Sequence, residues 1–178
     1  MRKIVLTFGL IAGAVLSIMM LLTLPFQDRI GFDKGAIIGY TTMVLAFLMV
    51  FFGVRSYRDN VAGGSVTFGR ALKVGVMITA IASVCYVATW ELIYYELTPD
   101  FGDRYAAYQV ERAKKSGASD AQIAQTTREM AQFKEMYRNP LVNIALTLVE
   151  PLPVGLVFAL VTAGMLSRRR RPVQAAVA

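Results

Sequence analysis

Two glutamates, Glu91 and Glu150, stand well inside long apolar runs, and they are the ionisable side chains whose surroundings demand a chemical explanation. A carboxyl group in hydrocarbon costs at least about 2.5 kcal/mol unless it is neutralised or paired. Asn143, Thr147 and Glu150 follow i, i+4, i+7 spacing and so share one helix face, while Glu91, Tyr94, Tyr95 and Thr98 form a corresponding polar patch. Pro151 and Pro153 sharpen the second cluster. A proline inside a helix removes an amide donor and displaces the carbonyl four residues back, so Thr147 and Val149 are expected to carry carbonyls without helical partners. A carboxyl, a kink and freed carbonyl oxygens are the parts of a site that binds a cation or carries a proton. The simpler reading is a protonated glutamic acid donating a hydrogen bond to Tyr94, Tyr95 or a freed carbonyl. Trp90, Tyr94 and Tyr95 also suit an ordinary interfacial aromatic belt beside Glu91.

The inventory excludes more chemistry than it suggests. Histidine is absent, which removes imidazole acid–base work, catalytic triads and most zinc or haem ligation. The single cysteine, Cys85, lies in the middle of an apolar run, can form no intrachain disulfide and reads as a small core side chain. No Gly-x-Ser-x-Gly elbow, P-loop, His-Glu-x-x-His or Cys-x-x-Cys occurs. A glutamate-dependent intramembrane hydrolase would have one acid to activate water and a second to stabilise charge. Nothing supplies a metal or imidazole partner, so the chain is read as not an enzyme, with no metal and no cofactor.

The elements that must position these residues are four nearly uncharged runs, residues 4–24, 36–54, 72–97 and 141–166. At about 1.5 Å per residue each spans a hydrocarbon layer of ~30 Å. Hydrophobic residues make up 56% of the 178, and the 17% that are charged gather between the runs, as bilayer solvation requires. Mean hydropathy, +0.50, agrees. The expected fold is an all-α membrane protein, a single membrane domain over 1–178 built as a four-transmembrane helix bundle. Arg2 and Lys3 precede the first run, but its length and the lack of an Ala-x-Ala site favour a retained span over a cleaved leader.

Orientation follows from the cations. Arg2, Lys3, Arg55, Arg58, Arg70, Lys73 and Arg168 to Arg171 face one side against the single acid Asp59, whereas the other connections balance nine cations with nine acids. Both termini are therefore expected to be cytoplasmic, with residues 167–178 forming a basic tail. The net charge of +7 reads as membrane topology and contact with anionic lipid headgroups, not as a nucleic-acid footprint.

Between the third and fourth runs, Gly117 can end one helix and Ser119 with Gln122 has the spacing of a capping box for the next. An extracytoplasmic helical hairpin, about 100–116 and 119–138, is expected there. Its simplest role is a cap over the bundle; a docking site or a lid over a cavity is the sharper one. Small residues recur every four positions at Gly9, Gly13 and Ser17, at Gly75, Thr79 and Ser83, and at Gly155, Ala159 and Ala163. Such stripes let helices approach closely in lipid, within one chain or in a homo-oligomer. In the second connection Arg55, Arg58, Arg70 and Lys73 surround Gly63, Gly64 and Ser65, a candidate contact for an anion or a lipid headgroup. Positive-inside anchoring explains the same residues.

The segments Phe52-Gly53-Val54-Arg55-Ser56-Tyr57-Arg58-Asp59-Asn60, Gly64-Ser65-Val66-Thr67-Phe68-Gly69-Arg70 and Glu150-Pro151-Leu152-Pro153-Val154-Gly155 resemble a bacterial family of small four-span membrane proteins catalogued as a domain of unknown function. The resemblance implies a bacterial inner-membrane location and a four-helix fold, and it brings no activity or catalytic residue. The expected function is that of an accessory protein engaging a membrane-protein partner or lipid. The alternative is a proton- or cation-coupled carrier of a small solute that uses Glu150 and Glu91.

Overall fold

The computed structural model describes residues 1–167, so Arg168 to Arg171 and the rest of the expected basic tail lie outside the described residues. The apolar runs are helical apart from a break at Val149 and Glu150, since a backbone in hydrocarbon must satisfy its polar groups internally. Helix α1 covers Arg2–Thr23, and a single tight turn, Leu24–Phe26, carries the chain into α2, Gln27–Asn60. Only Gly31, at φ +72°, leaves the helical conformation inside α2. Helix α3 covers Phe68–Leu92 and widens into a π-helical turn at Ile93–Leu97. Then come α4 (Phe101–Lys115), α5 (Asp120–Tyr137), α6 (Pro140–Leu148) and α7 (Pro151–Leu166).

Among the described residues three helical stretches, not four, are long and apolar enough to cross a membrane: Arg2–Asn60, Phe68–Leu97 and Pro140–Leu166. The four-transmembrane bundle is corrected accordingly. The physical reason lies in residues 25–35, expected to be a connecting loop. Pro25 sits in the first turn of a helical segment, where its missing N–H would have no partner anyway, and hydrogen bonding resumes at once. The first two apolar runs therefore belong to one helical stretch. Three is an odd count of membrane-length stretches, and on that count the expectation that both termini are cytoplasmic is overturned. The extracytoplasmic assignment of α4 and α5 rested on the same count and falls with it.

The turn at Leu24–Phe26 lets α1 and α2 pack on one another, with Phe8 beside Gly53. Helix α3 packs against α1, α2 and α7, and α2 also touches α7. Phe47, Val50, Val74, Ile78 and Ala159 are fully buried where these helices meet. The small-residue stripes are used within the chain. A Cβ added at Gly13 would lie 2.6 Å from Cys85 Cβ, one at Gly75 2.9 Å from Ala159 Cβ, and one at Gly155 2.2 Å from Thr79 Cγ2. Ser17 Oγ and Thr89 Oγ1 add a hydroxyl contact of 2.7 Å between α1 and α3.

Helices α4 and α5 pack on each other across a turn in which Gly117 takes φ +78°. The capping box is complete: Ser119 Oγ accepts from the Gln122 amide and Gln122 Oε1 accepts from the Ser119 amide. The pair is tied to the start of α2. The Phe32 ring meets Phe101 at 5.8 Å, Tyr105 at 5.4 Å and Tyr108 at 4.8 Å, and Arg104 and Arg112 pair with Asp28 and Asp33. Lys134 joins α5 to Asp103 of α4.

Candidate functional site

Between α1, α2, α3 and the α4–α5 pair is a chamber described by two adjoining cavities of about 390 and 430 Å³. Its origin is local. Helix α2 carries Gly31, Gly35 and Gly39 at four-residue spacing; a Cβ at Gly39 would touch nothing within 4 Å, and one at Gly35 meets only Ile30 at 4.0 Å. Where α2 withholds its side chains, the space is left open, and Gly35 and Gly39 line both cavities. Phe101 and Tyr105 from α4 line both as well, so the pair α4–α5 covers the chamber.

Glu150 reaches this space because the helix breaks beside it. Pro151 has no amide to give to Thr147, α6 ends at Leu148, and α7 begins afresh at Pro151. The Glu150 amide bonds the Thr147 carbonyl at 3.4 Å, so one of the carbonyls expected to be freed is retaken weakly. The Glu150 side chain lines both cavities, and Tyr86 Oη donates to its Oε2 at 2.6 Å. No lysine or arginine lines either cavity; Glu150 is the charged group of the chamber among the described residues.

A second polar chain runs along the wall. Trp90 Nε1 donates to Tyr137 Oη at 2.9 Å, Tyr137 Oη and Thr147 Oγ1 are 3.3 Å apart, and Thr147 Oγ1 donates to Asn143 Oδ1 at 3.1 Å. Asn143 Nδ2 returns to the Tyr137 carbonyl at 3.5 Å. Asn143 is wholly enclosed and serves as the support behind Thr147, which itself faces the chamber. Burial pushes the Tyr137 hydroxyl above the ordinary phenol range, so it stays neutral and available as a hydrogen-bonding link.

The residues singled out from sequence thus separate. Glu150, Thr147 and Asn143 come together. Glu91 does not join them: it lines neither cavity, is half-buried, and its Oε1 is enclosed without a hydrogen-bond partner. Tyr94 is buried with its ring 5.2 Å from Tyr137, and Tyr95 Oη reaches the Arg138 carbonyl at 3.3 Å; neither bonds a glutamate. Arg55 and Arg58, two of the four residues of the candidate anion or headgroup contact, are drawn to an acid. Both turn to Asp59, at 3.7 and 2.7 Å, and the Gly64 amide is taken by the Arg58 carbonyl. Arg70 and Lys73 are exposed on the first turns of α3. Among the described residues no three acidic, cysteine or histidine side chains gather as a metal ligand set.

Sequence reasoning missed Tyr86, Trp90 and Tyr137 as site residues. The signal was present in part: Tyr86 and Trp90 stand four apart on α3 and so share the face that meets Glu150. Tyr137 comes from another helix, and no local spacing announces it.

A family model described as "Protein of unknown function (DUF4199)" matches residues 7–168. No curated protein and no solved structure matches the chain. The resemblance to a four-span bacterial inner-membrane family is corrected by these findings together: the matched description names no span count, and three membrane-length stretches are present among the described residues.

Proposed function

The chain belongs to the DUF4199 family, a small membrane protein whose family description assigns no activity, and from that premise we propose that it binds a small solute in the chamber, with Glu150 as the polar anchor and α4–α5 as the cover. One observation carries this reading: a carboxyl group held by Tyr86 borders a half-open space of about 390 Å³ that no lysine or arginine among the described residues lines. Pockets of roughly 300–1,000 Å³ with few converging polar groups are the usual form of small-molecule sites. Glu150 is exposed, and Tyr86 is its one side-chain partner among the described residues, so its carboxyl group can meet a ligand. A carrier would use the same groups, with Glu150 alone as the exchangeable carboxylate, because Glu91 stands outside the chamber.

The reading as an accessory protein that docks a partner through α4 and α5 has narrower support. Several cations of that pair are matched inside the chain, Lys115 by Glu111 at 2.8 Å and Arg138 by Glu135 at 3.1 Å, which lessens the charge they offer a partner. A hydrolase needing two carboxylates around one water has only one in the chamber.

Trp90 is the single tryptophan and lines the chamber, which makes it an intrinsic reporter. The test is acrylamide quenching of Trp90 fluorescence in the full chain in lipid nanodiscs, compared with Gly39→Leu, whose side chain would occupy the open space. Efficient quenching that falls in the variant is expected. Equal and negligible quenching in both proteins would remove the solute-binding reading.

A further inference from the structure

We infer that the chamber is selective for a small organic cation, an ammonium bearing apolar or aromatic groups; this inference rests on the solute-binding reading and names its ligand class. The charge balance comes first. Glu150 is the charged side chain lining the chamber among the described residues, and no lysine or arginine offsets it. An acidic side chain bordered by apolar and aromatic walls, with no basic one beside it, favours cations over anions. Tyr86 engages Oε2 alone, and no side chain among the described residues donates to Oε1, so one oxygen is left for a ligand.

The walls then choose between kinds of cation. A hard metal ion takes about six or more oxygen ligands, and the chamber offers one carboxylate and a few hydroxyls. What it offers in abundance is ring surface. Trp90 meets Phe101 edge-on with centroids 4.8 Å apart, Phe101 and Tyr105 lie parallel at 6.1 Å, and all three line the chamber. The polar handles of the wall are already used, since Trp90 Nε1 donates to Tyr137 and Tyr137 is bound to Thr147. The remaining valence of these side chains is the π face, which attracts ammonium groups and needs no hydrogen bond from them. One carboxyl oxygen and several aromatic rings lining the same space are thus the two parts of a site for an organic cation. The open stripe at Gly35 and Gly39 gives its apolar substituents room.

The experiment uses the full chain in nanodiscs of zwitterionic lipid, with protein-free nanodiscs as the blank for partitioning. Three probes are compared by equilibrium dialysis and by Trp90 emission: benzyltrimethylammonium, its uncharged carbon isostere neopentylbenzene, and benzenesulfonate. The cation should bind at least about tenfold more tightly than the isostere, with no saturable binding of the anion. In Glu150→Gln the ratio of cation to isostere should fall toward one while the isostere still binds. Should that variant fail to fold, the ratio in the native chain decides alone. Isostere binding as tight as the cation's, or saturable binding of the anion, would overturn the inference and leave solute binding standing. So would the absence of binding by any probe while acrylamide still reaches Trp90. If acrylamide does not reach Trp90, the solute-binding reading fails first and the inference with it.

Discussion

Glycines do opposite work in two regions of this molecule. Where α1, α2 and α7 meet α3 they are filled by its side chains: Gly13 receives Cys85, Gly53 receives Ile78 and Gly155 receives Thr79, each so closely that an added Cβ would come within 2.6 Å of a neighbouring atom. Along the first half of α2 they are filled by nothing, and Gly35 and Gly39 border open space. Close approach in the first region maximises dispersion contact, which holds helices together where lipid removes the hydrophobic drive. The same residue type in the second region forgoes that contact and leaves a chamber. A missing side chain is therefore a packing device or a cavity device according to what stands opposite, and mutation separates the two.

The largest effect is expected at Gly155. Its added Cβ meets Thr79 Cγ2 at 2.2 Å and Oγ1 at 2.8 Å, and Thr79 is itself fully buried, so neither partner has room to yield. Gly155→Leu should cost well over the roughly 1–3 kcal/mol of ordinary overpacking and leave little folded protein, read by thermal denaturation in detergent. Unchanged stability would mean that α3 and α7 are not pressed together as described.

Next is Tyr137, where the two regions meet. Its hydroxyl accepts from Trp90 and contacts Thr147, and its ring packs on Phe133 at 5.0 Å and Tyr94 at 5.2 Å. Tyr137→Phe keeps the rings and strands the Trp90 N–H, while Thr147 keeps its bond to Asn143, for a loss of about 1–3 kcal/mol. The Trp90 emission maximum should shift, because the indole N–H loses its acceptor. A stability loss with unaltered emission would place the effect elsewhere.

How much of this could be read beforehand differs between the same two regions. The small-residue stripes on α1, α3 and α7 stood out, and they are the contact faces, because a step of four residues keeps one face whatever the helix packs against. Glu150 and the break at Pro151 were equally legible, since an intramembrane acid and an in-helix proline have local consequences. The Ser119 to Gln122 capping box formed for the same reason. The number of spans was misjudged because Pro25 and Gly31 look like loop residues, yet one sits in a helix's first turn and the other interrupts it for a single residue. Glu91 was set beside Glu150 because both stand within apolar runs, each with a polar patch on its own helix face. Depth does not fix rotation about the helix axis, and in runs apolar on every side hydropathy does not fix it either. Tyr86 and Tyr137 became site residues through contacts 64 and 10 positions away, to which no local pattern points.

A smaller effect tests whether the cover over the chamber is held by charge or by rings. Arg104 pairs with Asp28, but that aspartate is 84% exposed, and an exposed ion pair contributes at most about 1 kcal/mol. Arg104→Ala should leave the melting temperature nearly unchanged and raise acrylamide access to Trp90 only slightly. Phe32→Ala, which removes the ring seated on Phe101, Tyr105 and Tyr108, should raise it more. The reverse order would make the α4–α5 cover an electrostatic attachment, and its closure would then weaken with added salt.

The smallest change in stability carries the sharpest reading, because its sign is at stake. Gly39→Ala places a methyl group where nothing lies within 4 Å and removes the backbone freedom of a helical glycine, so it should stabilise by about 0.5–1 kcal/mol. Gly75→Ala makes the same chemical change in the other region, but there the methyl meets Ala159 Cβ at 2.9 Å and Cα at 3.1 Å, and it should destabilise. Opposite shifts in melting temperature from one methyl group on two helices would show that the open stripe of α2 is retained against the gain in stability that filling it offers. A protein that keeps such a stripe is keeping the space. If both alanines stabilise, the α3–α7 contact is looser than its distances imply; if both destabilise, Gly39 faces a neighbour and the chamber is not open at that point.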